Sequence, residues 1–135
     1  MSKRAEEAAW RHNHGHNCSQ AVACAFAKEL GFDDEMIFRA AEGYGAGMGG
    51  MECTCGAVCG AVMVAGMKNS VKGGEKLTKG STYLLSKKIT EKFREKNGSV
   101  ICKELKGLET GKVLRSCPGC IEDAVHITEE VLGLE

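Results

Sequence analysis

Proline is almost missing from this chain of 135 residues, with Pro118 as its single example, and aromatic residues make up only 5%. Helices therefore meet few breakers, and the sequence has little of the alternating β-branched and aromatic pattern from which sheets are built. Apolar residues recur instead at spacings of three and four, which predicts an all-α fold. Charge of one sign is lacking too, because 18 Lys and Arg stand against 18 Asp and Glu. That balance excludes the basic field that nucleic acid requires and the polybasic patch that draws a protein to a membrane surface. No run is apolar for long enough to span a bilayer: the uncharged stretch that follows Glu52 is rich in glycine and only about as long as a buried helix. The opening MSKRAEEAAWRH lacks the apolar core of a secretory leader, so the expected compartment is the cytoplasm, where thiols stay reduced unless they bind metal or turn over. No repeat or linker divides the chain, and residues 1–135 read as a single helical domain, long enough to bury a core without disulfide staples.

What the chain has in quantity is cysteine and glycine, eight and 18 of them. They gather in GYGAGMGGMECTCGAVCGAVMVAGM, from Gly43 to Met67, where Glu52 is the only charge. The first part is a glycine-dense loop. From Thr54 the pattern becomes helical, with Gly56 and Gly60, and Ala57, Ala61 and Ala65, recurring every four positions. A helix with so bare a face lets neighbouring backbones come close, and it should stand at the centre of the molecule.

Around it the sequence predicts an up-and-down-like bundle of six to seven helices. The first runs from about Ser2 to Arg11 and is followed by the polar break HNHGHN. Asn17 caps the second, with Gln20 completing a capping box, Cys18, Val22 and Phe26 as its buried stripe and Gly31 ending it. Asp33 caps a third helix that reaches about Glu42. Thr54 is the expected N-cap of the central fourth helix, placing Cys55 at its first position. After a turn over 69–74, a long fifth helix is expected from about Glu75 to Lys96, its inner face marked by Leu77, Ser81, Leu84, Leu85, Ile89 and Phe93. Ser99 can cap a short sixth helix carrying Cys102, residues 107–115 form a connection, and Ser116 or Cys117 caps the last helix with Pro118 in its first turn.

On this map Cys18, Cys55, Cys102 and Cys117 each open a helix. Thiols at helix starts feel unpaired N–H groups and the positive end of the macrodipole, which favour the thiolate. In an up-and-down bundle the second, fourth and sixth helices present their N-termini at one end, and the 107–115 connection can return the seventh to it. Four converging thiolates suit an iron–sulfur cluster or tetrahedral zinc, or serve as dithiol pairs; the plainer alternative is four cysteines packed as small apolar residues.

The succession NCSQAV, GYGAGMGG, CGAVCGA, ICKELKG and CPGCIEDAV resembles the C_GCAxxG_C_C family of redox-active proteins, over about residues 8–132. The resemblance implies a small helical protein whose four family cysteines, here Cys18, Cys55, Cys102 and Cys117, are redox-active or hold a metal centre. Some members are joined to cytochrome-type modules, which favours electron transfer with a redox protein as partner. Cys24, Cys53, Cys59 and Cys120 are additional to that set.

Other signals point elsewhere. Cys117-Pro118-Gly119-Cys120 is a C-x-x-C at a helix start, the placement of dithiol oxidoreductases, which makes Cys117 and Cys120 a candidate catalytic pair. Cys55 paired with a neighbouring thiol is the other candidate for that chemistry, and a zinc-stabilised structural module is a third reading. Cys55 and Cys59 lie four apart and can share a metal. His12, His14 and His16 form H-x-H-x-H, a composition that attracts zinc, nickel or copper, although histidines in a polar turn are commonly just solvated. Gly45, Gly47 and Gly50 match GxGxxG without the preceding strand and following acid that a dinucleotide needs, so Gly45, Gly47 and Gly56 are expected instead to bring backbone close to the sulfur centre. Tyr44 and Met48 can wall a small pocket, and no hydrolase motif occurs.

Overall fold

The computed structural model describes residues 2–73 and 77–135. Among them seven helices form the molecule: α1 Lys3–Asn13, α2 Cys18–Ala27, α3 Asp34–Ala41, α4 Gly56–Asn69, α5 Lys79–Asn97, α6 Cys102–Lys106 and α7 Cys117–Leu132. Between α3 and α4 the chain passes through a 3₁₀ turn, Glu42–Tyr44, and a tight turn over Gly45–Met48 in which Ala46 and Gly47 are left-handed. No strand occurs among the described residues, only an isolated antiparallel bridge between Thr54 and Ile101. The fold is all-α.

The bare face of α4 sets the packing. A Cβ on Gly60 would stand 2.7 Å from the Ser19 carbonyl oxygen and 3.0 Å from Val22 Cβ, so α2 and α4 meet backbone to backbone. Helix α4 also packs on α5 and α7, while α1 closes over α2 and α7. Helix α2 is not striped as its sequence suggests. Every residue from Ser19 to Ala27 is buried, because α1, α3, α4 and α7 surround it. Arg4 fastens the closure, donating to Glu129 Oε2 at 2.7 Å, to the Leu134 carbonyl at 2.7 Å and to Glu29.

Several starts differ from expectation for a common reason. Thr54 is drawn into the bridge with Ile101, which moves the N-cap of α4 one residue on, to Cys55. Ile101 occupies the N-cap of α6 for the same reason. Ser99 acts from two residues earlier, accepting from the Ile101 N–H at 3.0 Å and donating to Glu104. The expected beginning of the fifth helix at Glu75, and the end of the preceding turn at Gly74, lie outside the described residues; Leu77 and Thr78 are not helical and α5 begins at Lys79. Of its expected inner face, Ile89 and Phe93 are buried, but Leu77 and Leu84 are 85% and 64% exposed because α5 extends past the helices it packs on. Gly31, left-handed at φ 85°, follows a turn that begins after Ala27 and thus ends α2 as read.

Candidate functional site

Three of the four family-type cysteines open their helices behind the residues read as caps or just beside them. Asn17 Oδ1 accepts from the Gln20 N–H at 2.9 Å and Gln20 Oε1 accepts from the Asn17 N–H at 2.9 Å, a closed capping box that puts Cys18 at the first position of α2. Ser116 Oγ accepts from the Gly119 N–H at 3.2 Å, putting Cys117 at the first position of α7 with Pro118 behind it. Cys102 starts α6, but behind Ile101. Cys55 is itself the cap of α4, which starts one residue later than read. The bridge joins these last two. The Cys102 N–H donates to the Cys53 carbonyl at 2.9 Å, and the Cys55 N–H donates to the Val100 carbonyl at 2.7 Å.

These four cysteines and Cys120 line one cavity of about 170 Å³, together with Lys106, Arg115 and His12. Cys55, Cys102 and Cys120 are buried in its wall, and Cys18 and Cys117 are half-buried. A larger hollow of about 930 Å³, between α1 and α7, holds no thiol and is edged by the ion-paired Arg4, Glu29 and Glu129. The thiols gather in the smaller cavity.

Its electrostatics separate the thiols. Cys120 interacts with Cys55 and lowers it to about 7, helped by the backbone N–H groups of Ala57 and Val58 and opposed by burial. The same interaction, with burial added, pushes Cys120 well up, so Cys55 is the member of the pair that ionises first. Burial, with the neighbouring charges of Cys117 and Cys55, pushes Cys18 to about 12. Burial also raises Cys102, against the pull of Lys106. Lys106 donates to Cys117 Sγ, and that contact raises its ammonium group and keeps it charged.

The start of α7 is held from below by Asp123, which is 1% exposed. It accepts from Lys96 at 2.6 Å and from Arg115 at 3.0 and 3.2 Å. Burial pushes this carboxyl up, but the two cations prevail and keep it below its ordinary value. The Arg115 side chain rests against Gly119, where a Cβ would meet its Nε at 2.5 Å.

The glycines act as packing devices for the sulfur centre. Gly45 rests against the Asn17 side chain, and a Cβ on Gly56 would stand 3.3 Å from Cys18 Cβ. Gly47, left-handed at φ 56°, leaves room for Cys102, whose Cβ would be 2.6 Å from an added Cβ. Gly56 alone of the three lines the cavity.

Other sequence signals part company here. Cys117 and Cys120 of the C-x-x-C line the same cavity, where Cys120 also meets Cys55 from another helix and Cys117 meets Cys18 and Lys106. Cys59 lines a different pocket from Cys55 and points toward the Thr54 carbonyl at 3.7 Å. Cys24 is buried beside the Asp34 carbonyl, and Cys53 is exposed. The histidines diverge: His12 reaches the thiol cavity, His14 stacks on Trp10 at 4.0 Å, and His16 lies edge-on to Phe38. His126 is partly exposed beside Glu129. Lys106 and the Arg115–Asp123 pair were not among the residues singled out from sequence. The spacing of four between Cys102 and Lys106 on one helix was the available signal for the first.

Among the described residues, no three His, Cys, Asp or Glu side chains are grouped as ligands of a single metal ion, and no helix is long and apolar enough to cross a membrane. Residues 16–131 match the family described as "Putative redox-active protein (C_GCAxxG_C_C)". No curated protein and no solved structure matches the chain.

Proposed function

We infer a function from the premise that the chain belongs to the C_GCAxxG_C_C family of redox-active proteins: it transfers electrons through a centre in the thiol cavity, with Cys18, Cys55, Cys102 and Cys117 holding an iron–sulfur cluster. The observation that carries this reading is the meeting of those four side chains, from four separate helices, in one small cavity. The donor set suits the group. All four donors are sulfur, and glycine replaces any larger residue at Gly47 and Gly56, where a Cβ would crowd Cys102 and Cys18. A single tetrahedral zinc with sulfurs about 2.3 Å from the metal needs them roughly 3.8 Å from one another. Zinc is therefore the alternative group that an all-sulfur donor set admits.

A cluster supplies one-electron chemistry at a potential set by its charge, hydrogen bonds and exposure. The protein supplies the rest. The N-termini of α2, α4 and α7 turn their free N–H groups toward negative charge, and Lys106 adds a full positive charge against Cys117. Buried Cys55 and Cys102 exclude water from the inner side, and half-buried Cys18 and Cys117 form the side a partner protein reaches. The Asp123–Arg115 pair keeps the first turn of α7 in place beneath Cys117.

A second reading rests on the lowered Cys55 beside the raised Cys120. In it the Cys55 thiolate attacks a disulfide substrate, forming a mixed disulfide and releasing one thiolate. Cys120 then gives up its proton and attacks the Cys55 sulfur, leaving a Cys55–Cys120 disulfide and a second substrate thiol. The substrate disulfide is reduced by two electrons and the protein dithiol is oxidised by two.

The test is an absorbance spectrum with iron and acid-labile sulfide analysis on protein purified without oxygen. Brown protein with iron and sulfide in matching amounts supports the cluster. Colourless protein that consumes a disulfide and loses two thiols supports the second reading.

A further inference from the structure

We propose a second sulfur site, separate from the thiol cavity, that takes a soft monovalent cation of the copper(I) class through Cys59, Met63 and Met48. These three side chains line a pocket of about 370 Å³ that shares no lining residue with the cavity of Cys18, Cys55, Cys102 and Cys117. Cys59 and Met63 stand four apart on α4 and so project from one face of the helix. Met48 reaches the same pocket from the glycine-dense turn.

The lining decides which cation suits it. Tyr44, Val58 and Val62 make the walls apolar, and no carboxylate, imidazole or ammonium group takes part. A hard cation such as magnesium or calcium would find two threonine hydroxyls and little else. Copper(I) accepts a low coordination number and prefers thiolate and thioether sulfur, which is what the pocket offers.

Met48 stands half exposed over this pocket and adds little to the core. The segment GYGAGMGG has five glycines in eight residues, yet the position over this pocket carries methionine. Its backbone lies at φ 63°, in the left-handed region that glycine occupies without strain and a side chain does not. Half of that side chain is nonetheless exposed, so burial does little to offset the strain. Its thioether is open to an incoming cation, with the half-buried Cys59 and Met63 lining the same pocket. The Cys59 thiol, which lies 3.7 Å from the Thr54 carbonyl, exchanges its proton for the cation and releases that proton to solvent.

The experiment is a methyl spectrum of protein labelled with ¹³C at the methionine methyl groups. Copper(I), added anaerobically as its acetonitrile complex, is titrated until free copper(I) is detected, so that the thiol cavity is filled first. Met48 and Met63 should shift together while Met36, on α3, stays in place. Cys59→Ala should abolish both shifts, and unmoved resonances elsewhere would show that this variant is folded. The proposal is overturned if Met48 and Met63 have not moved when free copper(I) appears, or if they move equally in Cys59→Ala. Neither result bears on the iron–sulfur reading, which concerns other residues.

Discussion

Cys55 is the residue on which the local chemistry turns. In reduced, metal-free protein one thiol should ionise near pH 7, followed by thiolate absorbance in the ultraviolet. Cys55→Ser should remove that step, and Cys120→Ala should move it upward, because Cys120 is the first cause of the lowering. Lys106 works on charge. Replacing it by methionine takes a cation from beside Cys117 and disfavours the reduced, more negative state of any centre there. The reduction potential should fall by roughly 50 mV, about 1 kcal/mol for one electron, with no loss of fold. At this scale the sequence was informative wherever a neighbour in the chain does the placing, as Asn17 does for Cys18 and Ser116 for Cys117. It was silent on the Cys55–Cys120 contact, which joins two helices far apart in sequence and follows from tertiary packing alone.

Among the elements, the contact of α2 with α4 tolerates the least change. Gly60→Ala puts a methyl group 2.7 Å from the Ser19 carbonyl, which belongs to a backbone and cannot swing away. Urea unfolding should show a loss of about 1–3 kcal/mol, despite the better helix propensity of alanine. Ser116→Ala removes the hydroxyl that accepts from Gly119 and should cost about 1 kcal/mol, with the first turn of α7 loosening around Cys117. The small-residue face of α4 was readable because its period of four has no other use in so apolar a segment. The caps of α4 and α6 were misplaced by one and two residues. A backbone bridge between Thr54 and Ile101 outweighs side-chain capping there, and a bridge between distant segments leaves no local trace in sequence. The outer half of α5 misled in another way. Leu77, just before it, and Leu84 have the spacing of a buried face, but among the described residues both are largely exposed.

Across the whole molecule, the bundle brings the starts of α2, α4, α6 and α7 to one cavity and gathers ionisable sulfur inside a folded core. This makes the stability of the reduced, metal-free protein depend on pH. Cys18 at about 12 and Cys59 at about 11 lie above the 9.0 of an ordinary thiol. A group raised on folding lends stability that is complete below the unfolded value and disappears as pH rises through the folded one. The contribution of these thiols should therefore be lost from about pH 9 upward. Cys55 runs the other way, lending stability above pH 9 that disappears as pH falls through 7. Urea midpoints between pH 7 and 11 measure the balance, with the decline above pH 9 expected to prevail because burial raises several thiols and lowers none. The meeting of four helix starts could be expected from the parity of an up-and-down bundle. The fifth thiol in the cavity, Cys120, and the Lys106 ammonium group beside Cys117 could not, since both depend on how α6 and α7 are rotated about their axes.

The most direct test of the central claim compares two single substitutions, Cys102→Ser and Cys120→Ser, for iron, sulfide and visible absorbance after purification without oxygen. Both residues are buried in the same cavity, but only Cys102 belongs to the four proposed cluster ligands, and only Cys120 faces Cys55 as a dithiol partner. The cluster account predicts that Cys102→Ser loses iron, sulfide and colour together while Cys120→Ser keeps them. Colourless parent protein, with disulfide-reducing activity that survives Cys102→Ser and is lost in Cys120→Ser, would contradict it.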